Sequence, residues 1–389
     1  MRKIFLSVIT SATTRRAIRI AALPAVAILA VSCFIPTFTL VTVDQGKAPW
    51  GKDLGDVDGD GKLDVIVGGG WVLESRVYWY ANGSSTPILI GEAPVNADED
   101  MDTLSAGDIN GDGAPDVVVS KGIYWFENPR GKGGDPRQPW TVHVVDAGYS
   151  VHDIEIRDMN RDGRADILAR SDQEGELGAK LYIQGADGTW TPVTITNVLG
   201  QGIAIGDINR DGRLDIAGGG MWFEQPLDPV ADEWKRHDYA PVREPSGMIA
   251  IGDINKDGRL DIVFVDEVPW LIELTWFEAP ADPVNGAWIP HDVAILEYVH
   301  SLQLADIDRN GWLDIVTAEQ QQSEQKRVAI YYNNGSGNSW QERILASAGS
   351  HNLAVGDIEG DSDIDILGAN WNPYQTDGGA INLWINGHN

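Results

Sequence analysis

One nine-residue pattern recurs along the chain and places an oxygen-bearing side chain at alternate positions. Its first copy is Asp56-Val-Asp-Gly-Asp-Gly-Lys-Leu-Asp64. Oxygen ligands spaced in this way around a tight turn can converge on one hard cation, and the glycine at the sixth position permits the sharp turn. Calcium suits such a loop because it accepts six to eight oxygens in flexible geometry, whereas magnesium requires a stricter octahedron. The pattern therefore predicts a calcium-binding loop.

The loop occurs seven times, which predicts up to seven calcium ions. The seventh copy departs from the others, with Ser362 in place of the glycine and Glu359 at the third position. The predicted ligands are Asp56, Asp58, Asp60, Asp64, Asp108, Asn110, Asp112, Asp116, Asp158, Asn160, Asp162, Asp166, Asp207, Asn209, Asp211, Asp215, Asp253, Asn255, Asp257, Asp261, Asp306, Asp308, Asn310, Asp314, Asp357, Asp361 and Asp365.

Two other interpretations of the loop can be weighed against calcium binding. An EF-hand needs a glutamate at the twelfth position and flanking helices, but the first copy has Val67 there and strand-like flanks. Asp and Asn side chains can also satisfy the backbone of their own turn without any cation. The recurrence of four aligned oxygen positions favours cation binding over this second alternative.

The charge of the chain agrees with the loop pattern. The sequence has 58 acidic residues against 29 Lys and Arg, a formal net charge of −29. The loops supply 23 of those acids. A surface of this sign argues against nucleic acid and anionic membranes as main partners.

The segments around each loop predict four short strands per repeat. In the fourth repeat they are Ile203–Gly206, Leu214–Ala217, Met221–Glu224 and Trp234–His237, which are rich in β-branched and aromatic residues. The repeat length of about 50 residues suits a propeller blade. We find no helix pattern after residue 35 and predict an all-β fold, a seven-bladed β-propeller of four-stranded blades over residues 36–389.

The repeat ends out of phase with the chain. The last unit stops at its third strand, 380–384, and the matching fourth strand lies at the other end of the sequence, 39–43. We therefore expect an N-terminal strand to complete the last blade and close the ring, which removes exposed sheet edges.

The loop, its flanking strands and the sevenfold count resemble the FG-GAP/VCBS repeat propellers, which are related to the integrin α head. The resemblance covers roughly residues 38–389. It implies a propeller held together by calcium, but no single activity, because the fold hosts many. Some bacterial and fungal relatives with strands like Trp125-Phe-Glu-Asn128 look like sugar-active lyases or dehydratases.

A polar register marks the entry to the predicted inner strands, at the channel mouth opposite the calcium loops. It lies six residues before each loop and comprises Trp50, Asp102, His152, Gln201, Gly247, His300 and His351. Arg170 and Trp371, in loops between second and third strands, are expected to reach the same face. His152, His300, His351, Asp102 and Arg170 are the catalytic candidates, and Trp50, Gln201 and Trp371 are the ligand-binding candidates.

This register leaves several interpretations open. The propeller could bind a glycan or an extracellular protein there without catalysis. It could instead be a carbohydrate lyase or dehydratase, with a histidine as base and a cation steadying the enolate. Three imidazoles could also bind a transition metal such as zinc, or simply cap the inner strands. We favour binding, because spacing alone identifies no acid–base pair.

Residues 1–35 differ from the rest of the sequence. Arginines and lysines precede the apolar run Ile20–Val31, which has the length of a signal-peptide core. Thr14–Ile18 resembles a twin-arginine export signal, and the residues ending at Cys33 resemble a lipoprotein cleavage site. We expect an exported protein: secreted, periplasmic or a cell-surface lipoprotein whose only membrane attachment is a lipid on Cys33.

Overall fold

The computed structural model describes residues 36–94, 101–120, 122–149, 151–171, 178–197, 201–240, 246–266, 272–370 and 379–387. The predicted export segment, with Cys33, lies outside these residues. Within them, no helix is long and apolar enough to cross a membrane.

Within these ranges the chain forms seven antiparallel sheets of four strands each, which are the predicted blades. Blades 1 to 3 contain β2 (Gly51–Gly55), β3 (Asp64–Gly68), β4 (Arg76–Tyr80) and β5 (Ile88–Glu92); β6 (Leu104–Gly107), β7 (Asp116–Val119), β8 (Ile123–Glu127) and β9 (Thr141–Asp146); and β10 (Asp153–Arg157), β11 (Asp166–Ser171), β12 (Gly178–Gln184) and β13 (Trp190–Thr196).

Blades 4 to 6 repeat this order along the chain. They contain β14 (Ala204–Gly206), β15 (Asp215–Gly218), β16 (Met221–Glu224) and β17 (Lys235–Asp238); β18 (Gly247–Gly252), β19 (Asp261–Asp266), β20 (Ile272–Glu278) and β21 (Ile289–Leu296); and β22 (Val299–Ala305), β23 (Asp314–Glu319), β24 (Val328–Asn333) and β25 (Trp340–Ala346).

Blade 7 joins the two ends of the chain. It contains β26 (Leu353–Gly356), β27 (Asp365–Ala369), β28 (Ile381–Gly387) and, as its outer strand, β1 (Thr37–Asp44). β1 pairs antiparallel with β28, with Val41 opposite Leu383. The predicted closure by the N-terminal strand is confirmed.

The hydrophobic core lies between neighbouring blades. Trp79 of blade 1, which is fully buried, belongs to the same cluster as Phe126 and Trp140 of blade 2. Both faces of most second and third strands are buried, so their sequences are continuously apolar rather than alternating. A single blade could not bury these two faces alone, which is why the repeat must close into a ring.

A side-chain amide at the end of the third strand links five of the blades to their predecessors. In blade 2, Asn128 Nδ2 donates to the carbonyl of Val57 in the first loop at 3.0 Å. Gln184, Gln225, Asn333 and Asn386 make the same bond to Ile109, Met159, Ile254 and Ile307. These bonds satisfy buried carbonyls and fix each loop against the next blade.

In the described ranges, three short helical turns interrupt the strands, although the sequence suggested no helix. They are the α-helix α1 (Gly70–Leu73) and two 3-10 turns, Ala81–Gly83 and Pro129–Lys132. α1 fills the connection between β3 and β4 and is too short to carry a periodic apolar pattern. It places Trp71, which is 47% exposed, 6.1 Å from Trp50 between ring centroids.

Candidate functional site

The ninth residue of each loop is buried, and both of its carboxylate oxygens accept backbone hydrogen bonds. Asp64 accepts from the amides of Val57 and Asn82, both at 2.9 Å. Burial raises the pKa of the Asp64 carboxyl to about 6, and the two amides partly offset that shift. The same pair of bonds recurs at Asp116, Asp166, Asp215, Asp261, Asp314 and Asp365. This residue therefore ties the loop to the end of the third strand whether or not a cation is present.

The first residue of the loop also satisfies its own turn. Asp56 Oδ1 accepts from the amide of Gly59 at 2.7 Å, and its Oδ2 accepts from that of Gly61 at 3.2 Å. In the third loop, Asp158 accepts from the amides of Asp162 and Gly163, at 3.0 and 2.9 Å. The turn-satisfying role of these residues, weighed above as an alternative, is thus present in the structure. Each carboxylate oxygen has two lone pairs, so such a bond leaves room for a cation.

Two loops in the described part of the chain bring three carboxylates close together. Ligand oxygens of Asp56, Asp58 and Asp64 lie within 4.8 Å of one another in the first loop. Those of Asp306, Asp308 and Asp314 do so in the sixth loop.

One carboxylate oxygen in each of these two clusters is buried without a hydrogen-bond partner among the described residues. These atoms are Oδ1 of Asp58 and Oδ1 of Asp306. A buried, unpaired carboxylate oxygen is costly, and a divalent cation would remove that cost. The residues of the first and sixth loops therefore fit a calcium ion.

An arginine engages the acidic loop in three consecutive blades. In the fourth loop, Arg213 pairs through Nη2 with Asp211, and its Nε donates to the carbonyl of Gln225 at 2.8 Å. Arg164 and Arg259 make the same contacts in the third and fifth loops. A guanidinium thus neutralises the fifth-position carboxylate and bridges to the third strand. The first and sixth loops carry Lys62 and Trp312 at this position instead.

The seventh loop has a serine where the other loops have glycine. Ser362 adopts φ 73°, in the left-handed region that glycine occupies at the same position of the first loop. A serine there carries a modest conformational cost. Asp363, directly after it, is buried and pairs with Arg309 of the preceding blade at 2.9 Å.

The three predicted histidines meet in the central channel, at the end opposite the acidic loops. The His152 and His300 rings are 5.4 Å apart between centroids. The His300 and His351 rings are stacked at 4.2 Å, and His351 lies 5.7 Å from the Trp50 ring. Four blades therefore contribute to one cluster, because their inner strands all begin at this mouth.

His152 belongs to an ionic network on blade 3. Its Nδ1 lies 3.2 Å from Asp153 Oδ1, and Arg170 Nε donates to Asp153 Oδ2 at 2.6 Å. Burial alone would lower the pKa of His152, but the neighbouring Asp153 carboxylate outweighs it and raises that pKa. Burial would likewise raise the pKa of Asp153, yet Arg170 and His152 hold it well below its usual range. The network favours a charged His152.

The other two imidazoles are held neutral. Burial, reinforced by the nearby His152, lowers the pKa of His300 to about 3. Burial and the adjacent His300 lower the pKa of His351 well below its ordinary value. Among the described residues, His300 Nδ1 is buried and accepts or donates no hydrogen bond. The cluster thus combines one imidazole with a raised pKa and two with lowered pKa values.

The positions of the three histidines can be compared with the two other interpretations of them, a zinc site and caps of the inner strands. In the described part of the chain, the groups able to converge on a metal are the two aspartate clusters, and the histidines are not among them. His351 Nδ1 does reach the carbonyl of Trp50, at a long 3.4 Å, as a strand cap would. Among the described residues, His300 Nδ1 has no such partner, so strand capping does not account for the whole cluster.

The remaining candidates are placed as follows. Arg170 is fully buried beside Asp153, so it acts on His152 through that carboxylate. The backbone amides of Asp102 and Gln201 are held by serine hydroxyls, and Gln201 Oε1 is buried without a partner in the described ranges. Trp371 lies outside the described residues.

Charged residues deeper in the channel were missed by the sequence reasoning. Lys52, Asp53 and Glu155 line a cavity of about 340 Å³ enclosed by the inner strands. Burial lowers the pKa of Lys52 to about 7 and raises those of Asp53 and Glu155 to about 6 and about 7. The sequence did hold a signal for these residues. Polar and apolar residues alternate along Asp153–Arg157, and alternate residues of an inner strand face the channel.

Three further histidines lie on fourth strands, as expected of outer-blade structure. Each histidine stacks on the tryptophan opposite it on the third strand. Its ring also pairs with the glutamate two residues after that tryptophan. The sets are Trp125, His143 and Glu127; Trp222, His237 and Glu224; and Trp276, His291 and Glu278.

The fold and its loops define a class, the closed seven-bladed β-propeller with an acidic turn between the first two strands of each blade. The family model for the FG-GAP-like repeat matches residues 56–119, 158–218, 253–317 and 306–368. These segments cover more than half of the chain, which therefore belongs to the FG-GAP-like repeat family. No curated protein matches the chain with statistical significance.

Proposed function

We propose that the protein is an exported, calcium-binding propeller that binds a glycan or protein ligand at the channel mouth opposite the acidic loops. The observation that carries this proposal is the cluster of His152, His300 and His351 above a polar cavity. Concave sites with a few convergent polar groups are the usual places for ligands. A glycan is the favoured ligand, because Trp50 and Trp71 add aromatic surface beside hydrogen-bonding groups.

Calcium has a structural role in this proposal. The first and sixth loops would hold it through Asp56, Asp58 and Asp64 and through Asp306, Asp308 and Asp314. Bound calcium supplies positive charge to loops whose carboxylates would otherwise repel one another. A cation that binds only the folded protein stabilises it by mass action. Chelation should lower the melting temperature by several degrees, and calcium should restore it better than magnesium.

A glycan array tests the ligand site. The wild-type protein should retain a defined set of glycans, and His300→Ala and His351→Ala should each reduce that binding at least tenfold. His237→Ala, on the outer face of blade 4, is the matched control and should bind like the wild type. Equal retention by all four proteins would place the site elsewhere. Retention of no glycan, with capture of a protein partner that His300→Ala abolishes, would favour the protein ligand.

A lyase or dehydratase is the second candidate, and one observation favours it. The pKa of His152 is raised and that of His300 is lowered, although their rings are only 5.4 Å apart. Adjacent groups whose pKa values diverge can serve as acid and base. A neutral imidazole could take the proton beside a carboxylate while a β-substituent leaves, which creates a carbon–carbon double bond. Incubation with uronate polysaccharides should then give new ultraviolet absorbance that His300→Ala abolishes, whereas binding without absorbance would support the first candidate.

The last part of the proposal is that the protein is exported and attached to a membrane by a lipid. It is based on the sequence of residues 1–35. Expression of the full chain in a bacterial host, followed by fractionation, tests it. We expect the mature protein outside the cytoplasm and, if Cys33 is lipidated, in the membrane fraction. Cys33→Ser should then release it into the soluble fraction.

A further inference from the structure

Lys52 is a buried lysine on the first inner strand. Its side chain is only 5% exposed and lines the channel cavity that His300 also lines. Its Nζ donates to the carbonyls of Pro49 and Trp50, at 2.9 and 3.0 Å. An ammonium has three donors, so one of them is left for another acceptor.

The Trp50 carbonyl is shared by too many donors to satisfy them all. Lys52 Nζ, His351 Nδ1 and Asn352 Nδ2 approach its oxygen at 3.0, 3.4 and 3.1 Å. A carbonyl oxygen has two lone pairs, so at least one of the three donors is poorly served. Lys52 and Asn352, which line the cavity, are therefore not both fully satisfied by this carbonyl when His351 also approaches it.

No carboxylate in the described part of the chain forms an ion pair with Lys52. Burial lowers the pKa of Lys52 to about 7, and no ion pair offsets that shift among the described residues. Asp53 is instead engaged by the amides of Leu54 and Ala106 at 2.8 Å each. A buried cation without a counter-ion destabilises the fold, and an anionic ligand would remove that cost.

His300 gives an independent indication of a ligand in the same cavity. It is 4% exposed, and its Nδ1 has no hydrogen-bond partner within the described ranges. A sugar hydroxyl can donate to or accept from a neutral imidazole. Among the described residues, the cavity thus combines a buried lysine amine that has no ion-pair partner with an unused hydrogen-bonding atom.

We infer that the ligand of the channel site is a sugar bearing a carboxylate, and that this carboxylate pairs with Lys52. The inference rests on the proposed glycan-binding function and specifies its ligand. The strongly negative protein repels polyanions at long range, so recognition depends on the short-range, desolvated contact with Lys52. A charged hydrogen bond in such a site discriminates strongly against a neutral analogue.

Matched pairs of sugars test the inference by ligand-observed NMR. The pairs are galacturonate with galactose, glucuronate with glucose, and mannuronate with mannose, each differing at the sixth carbon. We expect at least one acid to bind tenfold or more tightly than its neutral partner. Lys52→Met should abolish that preference, while Lys235→Met, an exposed lysine on blade 4, should retain it.

Thermal melting of the same variants supplies a readout that needs no ligand. Lys52→Met should keep or raise the melting temperature, because it removes a buried uncompensated charge. A fall of several degrees would show that Lys52 is structural and would overturn the inference. So would a preference for the acid that survives in Lys52→Met, or acids that bind no better than neutral sugars in every pair.

The failure of the inference is distinguishable from failure of the proposed function. If the array retains a neutral glycan and His300→Ala no longer binds it, the proposed function stands. The inference that the ligand carries a carboxylate is then refuted. If no glycan of any charge is retained and no sugar of the three pairs binds, both the glycan function and the inference fail.

Discussion

At the residue scale, the same acidic loop combines two kinds of carboxylate. The ninth residue is buried and hydrogen-bonded to two backbone amides, whereas the third residue of the first loop keeps an unpaired oxygen beside two other acids. The first kind stabilises the turn without a cation, and the second kind gains most from one. Substitutions at the two positions should therefore have different calcium dependence.

Asp261→Ala should destabilise the protein by about 2–4 kcal/mol with or without calcium. It leaves the amides of Ile254 and Ala279 buried without their acceptor, and each such loss costs about 1–2 kcal/mol. Asp58→Asn should leave the free energy of unfolding in chelator unchanged. It should lose only the additional stability that calcium gives the wild type. Urea unfolding with calcium and with chelator measures both. An Asp261→Ala defect that appears only in calcium would refute the structural role.

Acid sensitivity should arise from His300 and His351. The folded pKa of His300, about 3, lies below its unfolded value, so its contribution to stability is present above about pH 6.5 and is lost as pH falls. Each such buried histidine should cost about 1.4 kcal/mol per pH unit below that point. His152, whose pKa is raised, acts in the opposite direction: its contribution is fully present below its unfolded pKa and is lost as pH rises through the folded one.

His300→Gln tests this assignment. The difference between its melting temperatures at pH 7 and pH 5 should be smaller than that of the wild type. His237→Gln, a histidine on the outer face, should behave like the wild type. An unchanged pH dependence in His300→Gln would show that other groups control acid unfolding.

At the element scale, the seven loop hairpins share one backbone but differ in charge compensation. Arg164, Arg213 and Arg259 neutralise the fifth-position carboxylates in blades 3 to 5. The first and sixth loops have no arginine of their own there and hold the two carboxylate clusters; Arg137, from the following blade, pairs with Asp58 at 3.1 Å. A guanidinium on the loop competes with a cation for the same oxygens. We therefore expect the tightest calcium sites in blades 1 and 6.

Calorimetric titration should resolve this difference between hairpins. Asp58→Asn and Asp308→Asn should each remove one tight site from the wild-type stoichiometry. Asp211→Asn, in the arginine-paired fourth loop, should remove none, and Arg213→Ala should add or strengthen one. Equal effects of all three aspartate substitutions would show that the arginines do not influence calcium binding.

At the scale of the whole molecule, closure depends on β1. Deleting residues 37–44 would expose the edge of β28 and uncover part of the core that Val43 completes. We expect aggregation or a large loss of stability, because an unpaired edge strand recruits other chains. Thermal melting and size-exclusion chromatography of the deletion variant provide the measurement. A soluble monomer with wild-type melting would contradict this role of β1.

The repeated pattern alone was enough to predict much of this protein. The seven loops, their spacing and the out-of-phase ends gave the blade count and the pairing of 39–43 with the last blade. Such predictions succeed because they depend on local chain geometry and on the need to bury both faces of a blade. The shared register of His152, His300 and His351 likewise predicted that they would meet at one mouth.

Other properties were decided only by tertiary structure. The sequence cannot show that Arg213 would pair with a carboxylate of its own loop, or that Lys52 would have no carboxylate partner among the described residues. Charge compensation and burial depend on which side chains of different blades come together across the ring. The pattern therefore determined the fold and the common position of the candidate histidines. Ionisation and unsatisfied hydrogen bonds instead follow from the packing of residues far apart in the chain, such as Trp50 and His351, which are 301 positions apart.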